Sequence, residues 1–405
     1  MRYNISTKNV VIVAPALFSR VAEKIELFLK SRVCSLLYIG ILPILNTLYY
    51  HSRLYKKGRL VQEYRIGPIK FINGIASFKT ALAQMLLYGI NALYVVLSVL
   101  RYKLKFDFYI GVGPFCALLG LILRSLNIVR RVIYYQLDYF PTSWADTLIH
   151  EIRVKVYAII DRIVNTYSDM VWNVSPRLIE IKRMVGIIRR KSPPQIVIRD
   201  GIDSAKVRRA ALRAVKKHSI GFIGILRRDQ GVQLLIKVLP RIVRIFPDIE
   251  VHIIGSGPFE STLKHLVSNL GLENHVIFHG RVDDEEKVFN ILSRCACGIA
   301  LFTPDSYARY GEPGKIKTYL ECGLPIITTK VPYIALEIEK YRAGIVINYN
   351  ENNLFEALIR ILHDDEMRKI YRRNALKLAS NFYWEKILNQ ILTILMEMDE
   401  HVRFR

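Results

Sequence analysis

The stretch "SIGFIGILRRDQGVQLLIKVLP", Ser219 to Pro240, decides the class of fold that this sequence predicts. Its first residues, 219–226, are an apolar run closed by charged residues, which indicates a buried strand. From position 232 onward, apolar side chains recur at the three- and four-residue spacing of an α-helix: Leu234, Leu235, Val238, Leu239 and Ile242. A strand followed at once by a helix is the repeating unit of α/β proteins with a parallel sheet.

The same alternation continues in both directions along the chain. Further strands are predicted at 9–15, 33–42, 106–114, 130–141, 169–176, 249–258, 276–282, 297–304, 325–329 and 343–348. A linker at 189–203, with Pro193-Pro194 and an Asp200-Gly201 turn, separates the two series. We therefore expect two doubly wound, Rossmann-like domains that face each other across a cleft, at 1–200 and 201–384. A final helix, about 385–405, is expected to pack back on the first domain.

The charge of the chain is concentrated in its first half. Of the 405 residues, 59 are Lys or Arg and 35 are Asp or Glu, a formal net charge of +24. Residues 1–200 hold 29 basic and 11 acidic residues, so 29 − 11 gives +18, whereas 201–405 hold 30 and 24, which gives +6. The basic residues are interleaved with apolar runs, and no zinc-finger, RRM or basic-zipper motif is present. This pairing favours an anionic membrane surface over nucleic acid.

One uncharged segment is long enough to raise the question of a membrane span. Residues 80–100 carry no charge, and 21 residues can cross a bilayer. Gln84, Gly89 and Asn91 interrupt it, which favours a helix packed under the sheet with one face touching lipid. Together with five scattered cysteines and no recognisable leader peptide, this predicts a cytoplasmic protein held peripherally on the inner face of the cell membrane.

Cationic side chains follow several of the predicted strands. Arg227 and Arg228 come after the strand at 219–226, and Arg281 lies at the end of the strand at 276–282. In "EPGK", 312–315, a Pro-Gly pair starts a helix beside Lys315. Because helix N-termini and cations both attract phosphate, these loops predict a diphosphate site at the carboxyl edge of the second sheet.

The second half as a whole resembles a known family. Its elements "VSPRLIEIKR", "VIRDGID", "GFIGILRRDQGVQLLIKVLP", "VHIIGSGP", "GLENHVIFHGRV", "PGKIKTYLECGLPIIT" and "NALKLASNFYWEKIL" are similar, in order and spacing, to the retaining glycosyltransferases of family 4. That family has the two-domain α/β fold called GT-B. The resemblance implies a hexosyltransferase that uses a UDP- or GDP-sugar, keeps the anomeric configuration, and needs neither a metal ion nor another cofactor.

The resemblance also implies roles for individual residues. Gly280, Arg281 and Val282 would border the nucleobase. The charged pair that holds the diphosphate in this family falls on Ile225 and Gln230, which carry no charge, so Arg227 and Arg228 are the predicted substitutes. Further donor-binding candidates are Gly231, Gly314 and Lys315.

A second departure concerns two glutamates of the family, one of which holds the ribose. Their positions are Tyr310 and Thr318 in this chain. Glu312, two residues after Tyr310, and Glu321, one helical turn after Thr318, are predicted to compensate. Thr318 itself is retained as a donor-binding candidate.

The catalytic prediction combines three residues. Asp138, at the end of a predicted strand, is the candidate for orienting or deprotonating the acceptor hydroxyl. Lys315 and Arg227 are expected to stabilise the leaving diphosphate. The expected acceptor is a lipid-linked saccharide or other glycoconjugate.

Other functions remain open from the sequence. A nucleotide-sugar 2-epimerase shares this two-domain fold and would act without an acceptor. A non-catalytic subunit that binds a partner or lipid is favoured by the missing glutamate pair. A nucleic-acid-binding role ranks behind both.

Overall fold

The structure, a computed structural model, describes residues 5–15, 19–41, 50–66, 81–139, 148–211 and 214–400. The chain divides into two units, one of Met1–Arg199 with Leu388–Arg405 and one of Asp200–Ile387. Each unit is built on its own sheet.

The described residues of the first unit form an eight-stranded sheet with the order β4-β3-β2-β1-β5-β6-β7-β8. Its strands are β1 Asn9–Pro15, β2 Ser35–Ile41, β3 Tyr50–Lys56, β4 Arg59–Ile66, β5 Phe106–Val112, β6 Val129–Gln136, β7 Met170–Asn173 and β8 Gln195–Val197. All neighbouring strands are parallel except at β3, which runs antiparallel to both β2 and β4. The central strands are apolar on both faces, as a parallel sheet covered by helices requires.

The hairpin of β3 and β4 is an element that the sequence patterns did not predict. Its turn lies at Lys57 and Gly58, both with positive φ, at 46° and 83°. Two such residues form the kind of turn that matches the twist of a two-stranded hairpin. The hairpin extends the parallel sheet by an antiparallel edge.

Five helices described in this unit surround its sheet, and the last helix of the chain joins them. They are α1 Ser19–Leu29, α2 Ala81–Arg101, α3 Pro114–Ser125, α4 Leu148–Tyr167 and α5 Pro176–Met184, with α14 Trp384–Glu400 contributing its residues from Leu388 onward. Val95 and Val99 of α2 pack with α3 on the sheet face that carries Val11 and Val13. Near the end of α14, the carboxylate of Asp399 accepts a hydrogen bond from Lys8 Nζ at 2.8 Å.

The second unit holds a six-stranded, fully parallel sheet with the order β11-β10-β9-β12-β13-β14. Its strands are β9 Ser219–Ile223, β10 Glu250–Ile254, β11 Val276–Gly280, β12 Cys297–Ala300, β13 Ile326–Thr329 and β14 Gly344–Ile347. Counted within the unit, this order is 3-2-1-4-5-6, the dinucleotide-binding arrangement. The strand order reverses between β9 and β12, and ligands of such sheets bind at that point, beyond the carboxyl ends of the strands.

Eight helices lie wholly within the second unit's described residues and cover both faces of the sheet. They are α6 Ser204–Ala211, α7 Val232–Val243, α8 Glu260–Asn269, α9 Glu285–Leu292, α10 Gly314–Glu321, α11 Ile334–Tyr341, α12 Glu351–His363 and α13 Asp365–Ala379. Buried side chains of α7, α8 and α12 form one core cluster with the sheet. Those of α9, α10, α11 and α13 form another. The prediction of an α/β fold with two Rossmann-like domains is therefore confirmed.

Helix α2 corresponds to the uncharged segment at 80–100. Within the described ranges, the structure contains no helix whose length and apolar character would suffice to cross a bilayer.

Candidate functional site

The reversal point of the second sheet brings two loops together. One loop follows β9 and contains Arg227, Asp229 and Gln230, and the other follows β12 and contains Thr303 and Ser306. The Thr303 N–H donates to the Asp229 carbonyl at 3.1 Å, and the Ser306 hydroxyl donates to the Asp229 carboxylate at 2.9 Å. The topology thus places a polar cluster where α/β sheets bind ligands.

Asp229 organises this cluster. Its two carboxylate oxygens accept from Arg227 Nε at 3.0 Å and Arg227 Nη2 at 3.2 Å, a bidentate pair that fixes the guanidinium plane. Gln230 Nε2 donates to the same carboxylate at 3.0 Å. The guanidinium of Arg227 also lies over the ring of Tyr307, 4.6 Å from its centroid. From the sequence, Arg227 is predicted to bind a phosphate group. In the structure, its guanidinium is oriented by the carboxylate of Asp229.

Lys315 reaches the same cluster from the first turn of α10. Its ammonium donates to Gln230 Oε1 at 2.8 Å and lies over the rings of Phe222 and Phe302, 4.1 and 5.1 Å from their centroids. Burial lowers the pKa of Lys315 to about 7, and the Asp229 carboxylate opposes this lowering. A buried ammonium has lost most of its hydration, so a bound anion would stabilise its charged form. Helix α10 itself begins at Gly314, with no side-chain cap from any described residue.

Gly231 connects the cluster to helix α7 in a way that only glycine allows. Its φ is 73°, in the left-handed region, and it is the N-cap of α7. A Cβ at this position would collide with the carbonyl oxygen of Leu301. Gly231 therefore lets the two loops approach closely, a positioning role that accompanies its predicted place in donor binding.

Arg228 occupies the exposed side of the cluster. It lines a cavity of about 780 Å³ together with Arg227, Asp229, Gln233, Lys237, Thr303, Pro304, Asp305 and Tyr349. Three cations therefore face this cavity against two carboxylates. The structure thus brings Arg227 and Arg228 to one cavity, while Lys315 contacts the cluster through Gln230.

The three residues predicted to border the nucleobase lie at the end of β11. The Gly280 carbonyl accepts from the N–H of Gly255 at 2.7 Å, which joins this strand end to the Gly-Ser-Gly turn after β10. Arg281 is exposed and pairs with Asp283 at 2.7 Å. Val282 packs against the core cluster under α10.

Glu312 and Glu321 are held by contacts within the second unit. The Glu312 carboxylate pairs with Lys317 at 3.0 Å, and both side chains are almost fully buried. It also accepts from the N–H of Asp200, while Glu321 accepts from the N–H of Asp203 at 2.9 Å. Thr318 donates to the Gly314 carbonyl one turn earlier at 3.3 Å. The two glutamates thus bind the start of the unit's own chain.

Asp138 lies just beyond β6 in the first unit. Its carbonyl accepts from Gln136 Nε2 at 3.1 Å and from the hydroxyl of Tyr157 at 3.2 Å. Burial raises the pKa of the Asp138 carboxyl to about 6, which brings it into the range of a general base near neutrality.

Asp229 and the contact of Gln230 with Lys315 were not among the sequence-based predictions. Asp229 stands two positions after Arg227, a spacing that hinted at the ion pair. The Gln230–Lys315 contact joins residues 85 positions apart and depends on the fold.

The part of the chain that builds this geometry matches a known protein family. Residues 203–378 match the family described as glycosyl transferases group 1. This domain belongs to that family. The match covers the second sheet and every element that builds the cluster around Asp229.

The curated relatives share limited sequence identity with this chain. The phosphatidyl-myo-inositol mannosyltransferase of Mycolicibacterium smegmatis is 25% identical over 171 residues, 41% of each chain. The Campylobacter jejuni enzyme named N-acetylgalactosamine-N,N'-diacetylbacillosaminyl-diphospho-undecaprenol 4-alpha-N-acetylgalactosaminyltransferase is 25% identical over 204 residues, 49% of this chain and 53% of the relative. The matches span about half the length of the curated relatives.

Solved structures extend the likeness to both units. Anabaena Alr3699/HepE, solved in complex with UDP, is 16% identical, with a TM-score of 0.68 over 96% of this chain and 100% of that one. At this identity the likeness establishes the fold, which is GT-B.

Proposed function

We propose that this protein transfers a sugar from a UDP- or GDP-sugar to a hydroxyl of a lipid-linked saccharide at the cytoplasmic membrane face, with retention of anomeric configuration. The observation that carries the proposal is the cluster of Arg227, Gln230 and Lys315 around Asp229 at the reversal point of a family-matched sheet. Such a point is where this architecture binds nucleotides.

In the proposed donor site, Arg227 and Lys315 stabilise the leaving diphosphate. As the bond from the sugar to the β-phosphate breaks, negative charge grows on the phosphate oxygens. Arg227 is already fixed in orientation by Asp229, and Lys315 by Gln230, so little reorganisation accompanies the reaction. Charges preset in this way stabilise the transition state more than the ground state, which is the source of the rate increase.

The proposed acceptor follows from charge and from relatives. Residues 1–200 carry a net charge of +18, which suits a pyrophosphate-bearing lipid near an anionic surface. The names of two relatives specify a phosphatidyl-myo-inositol and a diphospho-undecaprenol substrate. In this proposal, Asp138 accepts the proton of the acceptor hydroxyl, and no metal ion is needed because Lys315 and Arg227 supply positive charge.

Calorimetric titration with UDP, GDP and their sugar conjugates, in the presence of EDTA, tests the donor site. Because burial lowers the pKa of Lys315 to about 7, much of this side chain is neutral at pH 8. A bound diphosphate stabilises the charged form of Lys315, so binding is expected to take up protons. Repeating the titration in buffers of different ionisation enthalpy measures that uptake. Lys315→Met should bind more weakly and take up none. Binding that requires a divalent ion, or that is as tight in Lys315→Met as in the wild type, contradicts the proposed site.

The pH dependence of kcat/KM tests the two catalytic groups together. Asp138 must be ionised to accept a proton, so activity rises as the pH passes its pKa of about 6. Lys315 must be protonated, so activity falls as the pH passes about 7 in the free enzyme. We therefore expect kcat/KM to be highest in a narrow pH range between about 6 and about 7. The falling limb of kcat lies at higher pH, because the bound diphosphate stabilises the ammonium. Asp138→Asn should lower activity by about 10²–10⁴-fold and remove the rising limb; an unchanged limb contradicts the assignment.

One observation favours a second candidate, a non-catalytic subunit that binds a partner or lipid. The Asp229 carboxylate already pairs with Arg227, and neither Tyr310 nor Thr318 restores the family's acidic pair. If no nucleotide diphosphate binds, this candidate replaces the transferase.

A further inference from the structure

The outer side of the first unit carries large apolar side chains at helical spacing. On α2, Leu93 is 60% exposed and Leu97 is 56% exposed, and Leu100 follows one turn later. On α4, Ile152, Val156 and Ile159 repeat the spacing, and Ile159 is 61% exposed. Helix α3 lies in contact with both and exposes Ile122. We call these seven residues the outer apolar face.

This face is separate from the core. Helix α2 buries Val95 and Val99 against the sheet, and α4 buries Val154 and Val164. Both helices are therefore apolar on the core side and again on the outside. A helix with a solvated outer side normally carries charged or polar residues there. On a soluble protein, large exposed apolar side chains grouped on neighbouring helices mark an interaction site.

The charges around the outer apolar face are almost all positive. Arg101 ends α2, and exposed Arg153, Lys155 and Arg162 lie on α4. Among the described residues of α2, α3 and α4, the acidic ones are Glu151, which pairs with Lys155 at 2.6 Å, and Asp161, which is buried. A second copy of this chain would bring like charges together, so the face does not suit a symmetric dimer.

We propose that the outer apolar face docks on an anionic lipid surface. Leu93, Leu97 and Ile159 enter the boundary between headgroups and acyl chains, while Arg153 and Arg162 meet lipid phosphates. This inference rests on the membrane location in the proposed function and is independent of its donor chemistry. It assigns the membrane contact to the exteriors of α2, α3 and α4.

Cosedimentation with two kinds of vesicle tests the assignment. Wild-type protein should bind vesicles of phosphatidylcholine mixed with phosphatidylglycerol, and bind pure phosphatidylcholine far less. Leu93→Ser/Leu97→Ser should reduce the partition coefficient by about tenfold or more, since two leucines no longer enter the bilayer. The matched control is Leu336→Ser/Ile370→Ser, which removes two similarly exposed apolar residues from the second unit. It should bind vesicles as wild type does.

Three results overturn the proposal. One is equal vesicle binding by wild type and Leu93→Ser/Leu97→Ser, and another is an equal loss in the control. The third is a wild-type dimer in sedimentation velocity that this variant makes monomeric, because the face then belongs to a second copy. Nucleotide titration of the same variants separates this question from the donor site: Leu93→Ser/Leu97→Ser should bind nucleotide as wild type does.

Discussion

Lys315→Met is expected to lower kcat by about 10²–10³-fold, the loss found when one donor to a developing oxyanion is removed. The methionine preserves length and apolar contact with Phe222 and Phe302, so the substitution removes the charge and the bond to Gln230 with little change in packing. Initial rates with the nucleotide-sugar identified by calorimetry measure the effect. We expect the loss to fall on kcat more than on KM, because the charge matters most as the diphosphate departs.

The control for this variant is Lys340→Met, which removes an exposed lysine of α11 in the same unit. It should retain the wild-type rate. If Lys315→Met turns over normally, its ammonium does not stabilise the leaving group. If both variants lose activity equally, the loss comes from the lower net charge of the unit and not from the position of Lys315.

Lys317→Met is expected to destabilise the second unit by about 3–5 kcal/mol, the usual effect of removing one partner of a buried ion pair. The side chains of Lys317 and Glu312 are 4% and 2% exposed, so the substitution leaves the Glu312 carboxylate in the interior without its cation. Lys317 also lies over the ring of Phe382, a contact that methionine partly replaces. Urea unfolding followed by circular dichroism measures the change in the free energy of unfolding.

Two further variants make this result specific. Lys317→Met/Glu312→Gln removes both charges and should recover most of the lost stability. Lys369→Met breaks a pair with Glu366 whose side chains are 66% and 77% exposed, and should leave the free energy of unfolding close to that of the wild type. A double variant no more stable than Lys317→Met would mean that the loss comes from packing.

Much of the fold could be predicted because hydrophobic periodicity is a local property. The strands β1, β5 and β9 and the helix α7 follow from runs of apolar residues in the sequence alone. The β3–β4 hairpin was missed for a physical reason. Strand β4 is exposed along most of its length and has no buried face to create alternation, and its Lys57-Gly58 turn lacks the Asn-Gly signature.

The candidate site was predictable to the extent that it depends on helix starts and cations. Arg227 and Lys315 stand at loops that the strand–helix alternation marks as ligand-binding. Their partners depend on contacts between distant parts of the chain, which a single sequence does not reveal. Glu312 and Glu321, for example, bind backbone groups 112 and 118 positions earlier.

The backbone contacts of Glu312 and Glu321 determine where this unit can be cut when chimeras are made. Because Glu312 and Glu321 bind the N–H groups of Asp200 and Asp203, helix α10 depends on the segment by which the chain enters this unit. Ile202 in turn pairs with Tyr383 near the point where the chain leaves. When this unit is exchanged between relatives, the chain should therefore be cut before Asp200 and after Ile387. The exchanged unit then keeps both the segment at Asp200–Asp203 and the segment at Tyr383 that pairs with it. A graft that begins after Asp203 would import Glu312 and Glu321 without the backbone N–H groups that they bind.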